Sequence, residues 1–148
     1  MENEVLRKQV QEIICQFTSK SNIIKSDKEP DARLLYRLLG QEKLLAPGWP
    51  KEYGGQGLSH IATTIVLEEI VRAGLSETLY LLSVHFVGGL LLLEGTKAQK
   101  EVILPQIAAA KTFFSILYSE EKSGSDLGSL QAVGSEDGDQ YVITGEKK

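Results

Sequence analysis

The sequence of 148 residues contains few of the side chains that build covalent or metal-held sites. Cys15 is the single cysteine, which excludes a disulfide framework or a cysteine metal site within the chain. His60 and His85 are far apart and have no cysteine or carboxylate at ligand spacing. We therefore expect no metal site. His85 is expected to be a satisfied helix residue or part of a pocket wall.

The chain also lacks an excess of positive charge and a long hydrophobic run. Its net charge of -4 argues against nucleic-acid binding, for which a basic face is expected. The most apolar stretch, Leu79 to Leu93, is interrupted by His85 and Gly88-Gly89 and is shorter than the roughly 20 residues of a membrane span. Residues 1–4 lack the cationic start of a secretory signal. We expect a cytoplasmic protein without a membrane span.

Hydrophobic periodicity predicts helices through the first two-thirds of the chain. The predicted helices cover Glu2–Ser19, Asp31–Gly40, Ser59–Gly74, Ser76–Leu93 and Thr96–Gln106, with Asp31, Ser59 and Thr96 as candidate caps. The fourth helix is nearly apolar throughout, which predicts that it is buried between others. On the third helix, Glu68-Glu69 is expected to be solvated surface without a chemical role.

A connection rich in glycine and proline, residues 46–57, separates the second and third helices. Gly54-Gly55-Gln56-Gly57 does not match a dinucleotide fingerprint, because no strand precedes it and the third glycine is absent. No Gly-Lys-Ser/Thr phosphate loop occurs anywhere in the sequence. We expect a structural loop packed by Trp49 and Tyr53.

The pattern changes from helix to strand after Lys111. Thr112–Tyr118 is a short aromatic and aliphatic run that predicts a buried strand. Glu136-Asp137-Gly138-Asp139 lies between two strand-like segments and predicts a β-hairpin. The predicted fold is mainly α, with a helical domain at residues 1–110 followed by an incomplete β-domain at 111–148, α+β overall.

Small and hydroxyl-bearing residues concentrate at this junction, from Tyr118 to Asp126. Free backbone N–H groups beside a glycine can cradle an anionic cofactor, because no Cβ blocks its approach. Gly, Ser and Asp also dominate ordinary turns, so Gly124-Ser125-Asp126 taken alone favours a turn. The motifs before and after this segment favour a cofactor site instead.

Four ordered motifs resemble the acyl-CoA dehydrogenase family. They are the loop from Trp49 to Gly57, the segments Ser83-Val84-His85 and Gly95–Pro105 of the following helix pair, the Tyr118–Asp126 segment, which is similar to the Thr-Glu-Pro-x-x-Gly-Ser-Asp signature, and the hairpin from Asp137 to Lys147. Together they extend over roughly residues 44–148. Glu121 replaces the proline of the signature, which removes a fixed φ from the loop.

The resemblance implies a flavoenzyme that oxidises acyl-CoA thioesters to 2,3-enoyl-CoA, with hydride passing to flavin N5. Tyr118 and Ser119 would hydrogen-bond the pyrimidine edge of FAD, Gly124 and Ser125 would lie at the pyrophosphate, and Ile116 would lie near the flavin. A helix containing Gly88, Gly89 and Leu92 would line the acyl pocket. The two glycines would leave extra room there, which hints at a long or bulky acyl group.

The same resemblance implies that the catalytic carboxylate belongs to a carboxy-terminal domain outside this chain, so we assign no catalytic residue and expect the isolated chain to be inactive. Its partners would be an acyl-CoA thioester and either the missing carboxy-terminal part or an electron-transfer flavoprotein, and full-length members form homo-oligomers. The alternative is a non-catalytic helical remnant that binds acyl groups or another protein without flavin.

Overall fold

The computed structural model describes residues 2–20 and 32–148, which form two compact units. A helical unit ends at Ser115, and a small β unit comprises Ile116–Lys148. Phe113 and Phe114 pack against the helical core, which extends this unit beyond the predicted boundary near Ala110. The assignment of domains at 1–110 and 111–148 stays a prediction.

The predicted helices are present, and the mainly helical fold class is confirmed. The helical elements are α1 (Glu2–Lys20), α2 (Ala32–Gln41), α3 (His60–Arg72), α4 (Thr78–Tyr80), a π-helix (Leu81–Gly88), α5 (Gly89–Glu94) and α6 (Lys97–Ala108). The Thr96 side chain accepts a hydrogen bond from the Gln99 N–H in a capping box at the start of α6. Ser59 is the N-cap of α3 but makes no side-chain cap bond, and Asp31 lies outside the described residues.

The core of the helical unit forms where the apolar stripes of the helices meet. Packing is observed between α1 and α3, between α1 and α2, and between α6 and the π-helix. The α1 stripe is buried through Leu6, Val10, Ile13, Ile14 and Phe17. Tyr36 of α2 donates a hydrogen bond to the Ser76 carbonyl at 2.5 Å, and burial raises its pKa to about 12. These contacts bury the apolar sides of α1, α2, α3, α6 and the π-helix in one core among the described residues.

The expectation that Glu68-Glu69 is solvated surface is wrong for one of the two carboxylates. Glu68 is exposed, whereas the Glu69 side chain is only 3% exposed and lies between α1 and α3. Arg7 of α1 donates hydrogen bonds to both carboxylates, and Gln11 donates to Glu69 at 2.8 Å. The Arg7 hydrogen bond holds the pKa of Glu68 below its usual value. The sequence pattern of α3 alone cannot show which residues of α1 pair with Glu69.

The apolar stretch from Thr78 to Glu94 is not buried on all sides, contrary to expectation. Tyr80 and Val84 lie in the core, whereas Phe86, Leu90 and Leu93 are 51%, 62% and 79% exposed. Composition shows that a helix tolerates burial on every face, but it does not show how many neighbours cover it. The three pieces of this stretch follow one another directly, with the π-helix in the middle.

The predicted hairpin is confirmed in the β unit. Strands β1 (Val133–Asp137) and β2 (Gln140–Thr144) pair antiparallel, with Asp137 opposite Gln140. Gly138 adopts a φ of 65° in the two-residue turn, a conformation that glycine accepts without cost. Every residue of both strands is exposed.

The predicted strand at Thr112–Tyr118 is wrong. This segment contains no strand residues, and no part of the chain that the structure describes pairs with it. A strand requires a hydrogen-bonded neighbour as well as a suitable sequence. Instead, the Phe114 N–H donates a hydrogen bond to Ser83 Oγ at 2.9 Å within the helical unit.

Candidate functional site

A cleft of about 290 Å³ opens on the helical unit beside the π-helix. It is lined by Trp49, His60, Thr63, Thr64, Val84, His85, Gly89, Leu92 and Leu93. Departures from α to π geometry inside helices occur frequently at functional sites. Two of the three residues predicted to contact the acyl group, Gly89 and Leu92, line this cleft.

Gly88 and Gly89 have different surroundings, although both were expected to leave room for an acyl group. A Cβ atom at Gly88 would lie 2.2 Å from the Trp49 ring, whereas a Cβ at Gly89 would meet nothing within 4 Å. Trp49 is buried and fills the space that Gly88 leaves. Extra room for a ligand is thus present only at Gly89. At Gly88 that expectation is wrong, because the space holds the indole.

His85 combines a position in the cleft wall with an unsatisfied ring nitrogen. Its Nε2 is buried and has no hydrogen-bond partner among the described residues, and its ring lies 5.3 Å from the Tyr80 ring in an edge-on arrangement. Burial lowers the pKa of His85, so its imidazole is neutral near pH 7. His85 therefore lies in the cleft wall, which is one of the two expectations. The other, that its ring is fully hydrogen-bonded within the helix, is not met at Nε2.

The residues predicted to hold flavin all lie in the β unit, between Ile116 and Ser125. Tyr118, Gly124 and Ser125 are exposed, and Ser119 and Ile116 are half-buried. A Cβ at Gly124 would meet nothing within 4 Å, so the backbone there is open to close approach. Neither the Ser119 nor the Ser125 hydroxyl bonds to another residue that the structure describes. These groups are free to accept or donate to an anionic cofactor.

Glu120 ties this segment to both ends of the hairpin. Its carboxylate accepts hydrogen bonds from the Gln131 N–H at 2.7 Å and from the Ala132 N–H at 2.9 Å. Lys147 Nζ donates to the same carboxylate at 2.9 Å and to the Tyr118 carbonyl at 3.3 Å. The Glu120 side chain is 10% exposed. The Gln131 N–H, followed by Lys147 and the Ala132 N–H, lowers the pKa of Glu120 to about 2.

This pKa predicts how the β unit responds to acid. The folded pKa lies below the usual 4.5, so the contribution of Glu120 to stability is present above about pH 4.5 and is lost as the pH falls through about 2. The Ala132 amide resonance is therefore expected to titrate near pH 2 in an NMR series on the intact chain. The Glu120→Gln variant is expected to show no such titration. An inflection near 4.5 in the wild type would contradict the geometry.

Two kinds of site find no support. The described residues contain no group of three or more His, Cys, Asp or Glu side chains placed to hold a metal ion. Within the same residues, no helix combines the length and apolar character that crossing a bilayer requires.

Comparison with known proteins decides the family. A family model described as the N-terminal domain of acyl-CoA dehydrogenase matches residues 1–111. The chain belongs to the acyl-CoA dehydrogenase family. It is 42% identical over 109 residues to the acyl-CoA dehydrogenase FadE26 of Mycobacterium tuberculosis, an alignment that covers 74% of this chain and 27% of FadE26.

Solved structures share the fold over nearly the whole chain. The ChsE4-ChsE5 complex of Mycobacterium tuberculosis contains a chain that is 34% identical, with a TM-score of 0.80, and the match covers 99% of this chain and 37% of that one. An acyl-CoA dehydrogenase of Bacillus anthracis, solved in complex with FAD, is 23% identical to this chain with a TM-score of 0.79. The match covers 99% of this chain and 26% of that one, and at this identity the likeness concerns the fold alone. The present chain thus spans between a quarter and two-fifths of these relatives.

Sequence reasoning missed two features of this acyl-CoA dehydrogenase chain. The contact between Trp49 and Gly88 joins residues far apart in sequence, and no local pattern indicates it. The role of Glu120 was also missed, because its amide partners Gln131 and Ala132 lie eleven and twelve residues further along the chain. The roles of the candidate flavin and acyl residues stay predictions.

Proposed function

We propose that this chain forms the amino-terminal helical domain and the first part of the flavin-binding domain of an FAD-dependent acyl-CoA dehydrogenase. The observation that carries the proposal is the cleft beside the π-helix, where Gly89 leaves open space next to the apolar Leu92 and the buried Trp49. A concave, partly apolar site with a few polar groups is the form that small-molecule sites take.

The β unit offers groups suited to FAD. Ser119 would hydrogen-bond the flavin ring through its hydroxyl, and Tyr118 through its backbone. Gly124 and Ser125 would bind the pyrophosphate, because the Gly124 backbone is open and the Ser125 hydroxyl is free. Ile116 would pack near the flavin ring. When bound, FAD would accept the hydride that leaves the β-carbon of the acyl group.

The cleft would receive the acyl chain of a CoA thioester, with Gly89 and Leu92 in its wall and Gly88 acting through the position of Trp49. None of the described residues that line it is an aspartate or glutamate. Removal of the α-proton requires a carboxylate base in this family, so we propose that the base comes from outside the cleft walls. By the family resemblance the base belongs to a carboxy-terminal domain, and on that ground the chain alone is expected to turn over no acyl-CoA.

Flavin binding by the chain itself is the direct test. The purified 148-residue protein, incubated with FAD and freed of unbound cofactor, is expected to retain the yellow absorbance of bound flavin. Ser119→Ala and Ser125→Ala should each weaken FAD binding about threefold to tenfold, the effect of one lost hydrogen bond. Ser135→Ala, the same change on an exposed position of β1, should leave binding unchanged. A folded but colourless wild-type protein would favour the flavin-free remnant instead.

A further inference from the structure

We propose that Glu120 is a positioning residue that holds the cofactor loop, residues 121–130, in its binding conformation before any cofactor arrives. The inference rests on the proposed flavin function, since Gly124 and Ser125 lie in this loop. It assigns the role to a residue that would not itself touch the flavin. The evidence is the convergence of donors on one carboxylate within the β unit.

The carboxylate closes the loop at both ends. Glu120 is the residue before the loop, and Gln131 and Ala132 follow it, so the two amide hydrogen bonds join its start to its finish. The backbone also fixes the first turn of the loop, because Glu120 and Ser123 exchange hydrogen bonds of 2.8 and 3.2 Å. Without such ties, the ordering of the loop on cofactor binding would cost conformational entropy and weaken affinity.

Further contacts order the inside of the loop. Ser123, a buried residue, donates its hydroxyl hydrogen bond to the Asp126 carbonyl at 2.6 Å, and the Ser129 hydroxyl donates to the same carbonyl at 2.9 Å. Gly124 and Ser125 lie between Ser123 and Asp126. Their outward exposure is therefore set by a framework that Glu120 anchors, and the Ser125 hydroxyl makes no hydrogen bond to the described residues of that framework.

The Glu120 position requires a negatively charged group with two acceptor oxygens. Three donors converge on it: the two N–H groups and Lys147 Nζ. A glutamine has one acceptor oxygen and one donor NH₂ group, so it would direct a donor against at least one of these donors. Lys147 also donates to the Tyr118 carbonyl, so it links the Glu120 carboxylate to the segment that precedes the loop.

The test compares Glu120→Gln with Glu146→Gln in the whole chain. Glu146 is an exposed glutamate of the same unit outside the loop, and its side chain pairs with none of the described residues, so the second variant makes the same chemical change outside the network. Amide hydrogen exchange at Gln131 and Ala132 is measured without cofactor, and FAD affinity and the shape of the bound-flavin absorption band are measured by titration. Thermal unfolding of the helices serves as the folding control.

We expect Glu120→Gln to lose exchange protection at both amides and to bind FAD at least about tenfold more weakly than the wild type. The shoulder of the bound-flavin absorption band should become less resolved, and the unfolding of the helices should be unchanged. Glu146→Gln should match the wild type in every measurement. Lost protection with unchanged FAD affinity would overturn the positioning role, and so would retained protection. If the wild type binds no FAD, the proposed function fails, and the exchange data then decide separately whether Glu120 holds the loop.

Discussion

Replacing Gly88 by alanine is expected to destabilise the helical unit by about 2 kcal/mol. The new Cβ would lie 2.2 and 2.4 Å from two atoms of the Trp49 ring and 3.1 Å from the Ser83 carbonyl oxygen. Trp49 is 5% exposed, so its ring cannot swing into solvent without leaving the core. The helix gains up to about 1 kcal/mol from exchanging glycine for alanine, and this gain is included in the net figure.

The adjacent residue provides the matched control. Gly89→Ala adds the same methyl group where no atom lies within 4 Å, so we expect unchanged or slightly raised stability. Urea unfolding gives the free energies, and the fluorescence of Trp49, the single tryptophan, reports its displacement. Equal stability of the two variants would show that Trp49 does not occupy the space at Gly88.

Replacing Glu69 by alanine is expected to cost about 2–3 kcal/mol of the free energy of unfolding. Glu69 is 3% exposed and accepts from Arg7 Nη1 and Gln11 Nε2, so its removal leaves these two donor groups without their acceptor between α1 and α3, although Arg7 Nη2 still pairs with Glu68. Loss of one partner from a buried pair often costs 3–5 kcal/mol. We expect less here, because the Arg7 side chain is 30% exposed and can reach water.

Glu68→Ala tests whether burial or charge is the cause. Glu68 also pairs with Arg7 and Arg72, yet it is 45% exposed, and exposed ion pairs contribute little to stability. Chemical unfolding of both variants should therefore separate them clearly, with Glu68→Ala close to the wild type. If the two losses are equal, general helix charge and not the buried contact stabilises the pairing of α1 with α3.

Local patterns were enough to predict most of the secondary structure. The 3.6-residue stripe of α1, the capping box at Thr96 and the Asp137-Gly138 turn are each encoded within a few consecutive residues, and each is present. The strand at Thr112–Tyr118 failed for the opposite reason. Its sequence favours extended structure, but a strand also needs a hydrogen-bonded neighbour, and that neighbour is not a property of the segment.

The sequence by itself determined the helical character, the hairpin and the resemblance to acyl-CoA dehydrogenases, because periodicity, caps and motifs are local. Only the tertiary structure decided how neighbouring, chemically identical residues differ. The Trp49 indole fills the space beside Gly88, whereas the space beside Gly89 is open. Glu69 is buried, whereas Glu68 is solvated. Each distinction depends on a side chain brought in from distant sequence, Trp49 in the first case and Arg7 in the second. Burial and pairing are properties of what packs against a residue, and no pattern around the residue itself contains them.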